Sequence, residues 1–133
     1  MKTLGLLGGK SWHSTAEYYR IINEEVASTL RGLHSADMVL RSFDFHEIEE
    51  MQRSDWGLAA KTLADAAADL ESCGAGALLI CTNAMHKVAD EVAAAVGIPL
   101  IHIADALADA ILADGHSTVC LLYTSPSPRD FSC

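Results

Sequence analysis

The residues best suited to chemistry are Cys81-Thr82-Asn83, which follow an apolar run, Gly76-Ala77-Leu78-Leu79-Ile80, that reads as a buried strand. A thiol at the carboxyl end of a strand, facing a helix start, sits where parallel α/β proteins place their reactive groups. A helix expected from about Met85 through Val96 would turn its positive N-terminal end toward that thiol and favour thiolate. Cys81 is therefore a candidate general base or nucleophile. Small strand-end fillers use the same residue type, and position alone leaves both roles open.

A second cluster is Gly8-Gly9-Lys10-Ser11. A phosphate loop of the G-x-x-x-x-G-K-[ST] type needs a glycine five positions before Gly9, where this chain has Leu4. Gly5 is one residue out of register, so the nucleotide pattern fails. What remains is a tight turn between strand and helix, whose amides and Ser11 hydroxyl could hold a carboxylate. A third group, Asp44, His46 and Glu47, falls in the connection after a second strand. There Asp44 is better suited to capping a helix than to catalysis.

Histidines at 13, 34, 46, 86, 102 and 116 and cysteines at 73, 81, 120 and 133 show no metal-ligand or disulfide spacing. No metal site is expected. Cys73, just before Gly74 at a helix C-terminus, faces a dipole that disfavours thiolate and reads as inert. Neither G-x-S-x-G nor G-x-G-x-x-G occurs.

These groups need elements to bring them together. Thr3 to Leu7 reads as a first strand, and Ser14-Thr15-Ala16-Glu17 matches a capping box opening a helix. Tyr19, Ile22, Val26 and Leu30 recur on one face of that helix, and Gly32 suits its C-terminal cap. Met38 to Phe43 is a second strand, followed by a short helical piece over His46 to Gln52. A longer helix begins near Asp55, carries Ala59, Leu63, Ala66, Ala67 and Leu70 on one face, and stops before Gly74. After the strand that leads to Cys81, Pro99 to Ile103 forms a fourth. Asp105 would cap a last helix, stopped by Gly115, and Val119 would open a fifth strand. Strands alternating with helices imply an α/β fold: a parallel sheet with helices on both faces. On that topology the three reactive clusters converge at one edge of the sheet.

At 133 residues the chain is sized for one domain with a real core. Half of it is hydrophobic and a fifth is charged, as in ordinary globular proteins. The net charge of −9 argues against nucleic-acid or membrane partners, while a small acidic ligand remains compatible with local donors. No run approaches the ~20 apolar residues of a membrane span, and the start lacks the features of a signal peptide. The cytoplasm is the expected compartment. The end of the chain differs in kind. Residues 120 to 130, Cys-Leu-Leu-Tyr-Thr-Ser-Pro-Ser-Pro-Arg-Asp, match codon for codon the translation of a transposase adaptor used in sequencing libraries. The expected organisation is a lobe over residues 1–119 and a non-native, disordered tail over 120–133.

Long linked motifs then point to a family. Gly5 through Arg20, Ile22-Asn23-Glu24, Gly32 through Ala36, Asp44 through Ile48, Cys81 through Ala89 and Ile98 through Asp105 together resemble the aspartate/glutamate racemases. The resemblance covers residues 1–119. It implies a cofactor-independent racemase of acidic amino acids, in which two cysteines face each other across the substrate α-carbon. One thiolate removes the α-proton and the other thiol delivers a proton to the opposite face. Cys81 would be the first of the pair, with Gly9, Lys10, Ser11, Glu47, Thr82 and Asn83 binding substrate. Close members usually carry Met at the position of Lys10 and Glu at that of His13.

Members are also about twice as long, built from two similar lobes. The resemblance thus implies that this chain is the first lobe, lacks the second cysteine and is inactive alone. It leaves open a homodimer of the full-length protein. Other readings are a lobe of a related maleate isomerase or hydantoin racemase, or a non-catalytic domain that binds small acids.

Overall fold

The computed structural model describes residues 1–120 and divides into two units, Met1–His102 and the residues from Ile103 onward. The expected tail falls almost wholly outside the described residues.

In the first unit, β1 (Leu4–Gly8) leads to α1 (Trp12–Leu30), then β2 (Met38–Ser42), α2 (Phe45–Ser54) and α3 (Trp56–Ser72). After β3 (Ala77–Ile80) come a short 3-10 helix (Ala84–Val88), α4 (Ala89–Ala94) and β4 (Leu100–Ile101). The four strands form one parallel sheet in the order β2-β1-β3-β4. Each pair of strands is joined by a connection that crosses a face of the sheet, as parallel pairing requires. The order reverses direction at β1: the chain steps to β2 on one side and later to β3 on the other. In open parallel sheets such a reversal is where a ligand crevice forms, here at the carboxyl ends of β1 and β3.

Alternation along the strands divides the core into two faces. Leu7, Leu78 and Ile80 pack with Ile48 of α2, with Ala59, Leu63, Ala66, Ala67 and Leu70 of α3, and with Val92 of α4. The alanine stripe of α3 is the expected one, and its small side chains let the helix lie close on the sheet. Gly74, at a φ of 96°, closes α3 as the sequence predicts.

The opposite face carries the register row Leu40–Leu6–Leu79–Ile101. Leu6 is wholly buried, but Leu40 is 46 % and Ile101 44 % exposed. Helix α1 lies on this side, where Tyr18, Ile21, Ile22 and Leu79 line an apolar cavity of about 260 Å³. The expected apolar stripe on α1 is therefore only partly used. Tyr19 and Leu30 are exposed, and Thr15 is the helix's one buried residue.

Among the described residues the second unit is α5 (Ile103–Ala113), ended by Gly115 at a φ of 84°. Asp105 lies inside its first turn instead of capping it, since the helix begins two residues earlier. Val119 is outside any strand.

Candidate functional site

The turn after β1 is shaped by close approach. Gly9 has a φ of 89°, and a Cβ there would lie 2.3 Å from both the backbone nitrogen and the carbonyl oxygen of Phe43. Only glycine fits both the conformation and the gap. The Phe43 amide donates to the Gly8 carbonyl (3.0 Å), which ties this turn to the segment after β2. The Gly9 amide donates to Thr15 Oγ1 (2.9 Å), which ties it to α1.

Helix α1 starts at Trp12 and not at Ser14, so the expected capping box does not form. Ser11 occupies the N-cap position at a φ of 87°, with no side-chain cap and no acidic residue in the first turn. Ser14 has another partner: its hydroxyl donates to the Cys81 carbonyl at 2.7 Å. From the other side, the Cys81 amide donates to the Leu7 carbonyl (2.9 Å). Cys81 is thus held by β1 through its N–H and by α1 through its C=O. Sequence reading missed Ser14's role, because Ser14 through Glu17 satisfies a local pattern while its actual partner is 67 residues away.

The Cys81 thiol is buried, with 1 % of the residue exposed, and burial pushes it up to about 12. This overturns the expectation of a thiolate favoured by a helix. The segment after Cys81 bends and enters a short 3-10 helix only at Ala84, and α4 starts only at Ala89. The helix expected to start at Met85 is therefore not there to favour thiolate, and desolvation by burial raises the thiol. Tyr18 on α1, unassigned from sequence, is the neighbouring titratable group. Its phenol is raised first by burial and then by the Cys81 charge.

Thr82 is half-buried and Asn83 exposed, and neither side chain is engaged in a hydrogen bond. His86 fixes their backbone: its Nδ1 lies 2.8 Å from the Thr82 carbonyl and 3.2 Å from that of Asn83. A carbonyl only accepts, so Nδ1 carries the proton. Burial lowers His86, the two backbone hydrogen bonds partly offset this, and His102, 4.6 Å away ring to ring, lowers it further.

Lys10 is 5 % exposed, and its Nζ is buried without a hydrogen-bond partner. Burial lowers its ammonium from 10.5 to about 7. Asp44 caps α2 as expected, accepting from the His46 amide (3.0 Å). Glu47 lies exposed in the first turn of α2, and no hydrogen bond joins it to the Cys81 segment. His46 is exposed, 3.5 Å from Glu50. Cys73 sits exposed at the C-cap of α3. Among the described residues no cluster of three metal-ligating side chains occurs, and no helix is long and apolar enough to cross a membrane.

The Gly8–Ser11 turn, the segment from Phe43 and Cys81-Thr82-Asn83 therefore follow three adjacent parallel strands. The first and last flank the crevice. Comparison with known proteins gives this arrangement its class. The family model for Asp/Glu/hydantoin racemases matches residues 7–131, and the chain belongs to that family. The solved structure of a Yersinia pestis protein described as an Asp/Glu racemase is similar, with 55 % identity, a TM-score of 0.84, and 86 % of this chain covered. An aspartate racemase homologue from Pyrococcus horikoshii OT3 matches at 31 % identity and a TM-score of 0.81, over the same share of the chain. The chain spans 50 % of the length of each of these relatives.

Proposed function

We propose that this chain is the first lobe of a cofactor-independent racemase of acidic amino acids, and that Cys81 is one of its two acid/base groups. The observation that carries the reading is the fixing of Cys81 at the crevice, through Leu7 and Ser14, beside a glycine turn suited to a carboxylate.

The amides of the Gly9–Ser11 turn and the uncapped start of α1 offer donors to the α-carboxylate. Thr82 and Asn83 offer uncommitted polar side chains to the charge that develops as the α-proton leaves. An α-proton is weakly acidic, so that stabilisation matters more than the base itself. At neutral pH Cys81 rests as a thiol, the form that donates a proton to the carbanionic centre. In the reverse direction its thiolate must form inside the complex, where the substrate's ammonium group favours the charge. The opposing thiol belongs to a second lobe outside this chain. Each turnover moves one proton onto one sulfur and one proton off the other, leaving the two sulfurs with exchanged roles.

The test uses the full-length parent in deuterium oxide with L-aspartate and L-glutamate. Appearance of the D-enantiomer carrying an α-deuterium, lost in Cys81→Ala, supports the reading. Exchange unaffected by that substitution overturns it. The 133-residue chain alone is expected to give no exchange.

A further inference from the structure

Lys10 is the buried group that this mechanism leaves unexplained. Its Nζ is out of contact with solvent and has no hydrogen-bond partner, an arrangement that folded proteins tolerate poorly. Chemically it sits in the turn between β1 and α1, immediately before an N-cap that supplies no side chain and a first turn that supplies no acid. The turn is rigid: Gly9 is clamped against Phe43 and bonded to Thr15. Ser14, four residues on, holds the Cys81 carbonyl. Helix start, unpaired amine and reactive sulfur therefore belong to one connected piece of structure. A lysine stem has several rotatable bonds, so the amine can leave an unsatisfying resting place once an anion is within reach.

We propose that Lys10 is the cation of a second carboxylate subsite, taking the side-chain carboxylate of an amino acid whose α-carboxylate lies on the Gly9–Ser11 turn. Only the placing of the α-carboxylate on the Gly9–Ser11 turn rests on the racemase reading. The buried amine without a hydrogen-bond partner is a property of this chain whatever reaction the site performs.

No charged neighbour offsets the burial of the resting amine, since burial alone shifts it. Cys81 and Tyr18 are both raised by burial and stay neutral near pH 7. The Asp44 carboxylate is occupied with the His46 amide, and His13 lies exposed, stacked on Trp12. Because burial leaves the resting amine near its midpoint at neutral pH, pairing with a carboxylate draws in a proton. Anion affinity is then highest below about 7 and falls with rising pH, by up to about tenfold per unit.

The experiment uses the full 133-residue chain with isotope-labelled lysine side chains, the Lys10 signal being identified by its loss in Lys10→Met. Methionine keeps an unbranched stem of similar length without the charge, so the variant retains the fold, checked by its backbone amide spectrum. The probes are succinate, with two carboxylates, and butyrate, with one. Succinate is expected to shift the Lys10 signal and raise its titration midpoint, while butyrate leaves both unchanged. Lys10→Met is expected to weaken succinate about tenfold or more, down to the butyrate level. A Lys10 signal indifferent to succinate, or equal succinate affinity in the variant, overturns the proposal. These measurements read an anion and not a reaction. A full-length protein that exchanges no α-proton would defeat the racemase reading and leave the Lys10 result standing.

Discussion

Burial sets the resting protonation of two single residues here. Cys81 and Lys10 are pushed in opposite directions, toward the neutral form in each case. For Cys81 this predicts slow alkylation by iodoacetamide at neutral pH and a rate that climbs toward pH 12, while exposed Cys73 reacts first. Peptide mass spectrometry after timed quenching reads both sites. For Lys10 the folded amine titrates near 7 and the unfolded one at 10.5, so between those values the unfolded chain holds the extra proton. Stability must rise with pH across that window. Lys10→Met removes the penalty, so it should stabilise the chain most below pH 7, with the gain shrinking toward 10.5. Urea denaturation of both proteins at the two ends of the window checks the sign.

At the scale of elements, the site depends on how three turns are braced. Gly9→Ala would push a methyl group into the Phe43 backbone at an unfavourable φ, and should cost about 2 kcal/mol or more. Thr15→Val keeps the shape but strands the Gly9 amide, at about 1–3 kcal/mol. Thermal denaturation separates the two from neutral surface changes.

Most of this scaffold was legible from periodicity. The alanine stripe of α3, the Asp44 cap and the glycines after the helices each announce themselves within a few residues. The site residues sort differently. Gly9, Lys10, Ser11, Thr82 and Asn83 do lie on the two segments that meet at β1 and β3, as parallel pairing requires. Ser14 misleads, because a capping box is a local rule and its hydroxyl answers to a distant carbonyl. The helix read from Met85 misleads too. The chain first makes a 3-10 turn whose Lys87 reaches over the Trp56 ring, a tertiary contact invisible in the local pattern.

On the scale of the molecule, the sheet has one well-covered face and one that is not. The exposed ends of the row Leu40–Leu6–Leu79–Ile101, together with Ile21 on α1, put apolar side chains in contact with water. The 133-residue chain should therefore self-associate at high concentration. Sedimentation velocity on wild type and Leu40→Lys would show the variant shifted toward monomer; identical profiles would remove this face from suspicion.

The bond from Ser14 to the Cys81 carbonyl also has a kinetic meaning. Its two ends are 67 residues apart, and β1 must first find β3 across three helices and a neighbouring strand. Loop closure of that length is slow compared with helix formation. The glycine turn and its hold on Phe43 can be complete while the sulfur is still unplaced. The reactive centre is thus among the last features a refolding chain acquires, and a pulse of thiol reagent during refolding would find Cys81 open after most helical signal has returned.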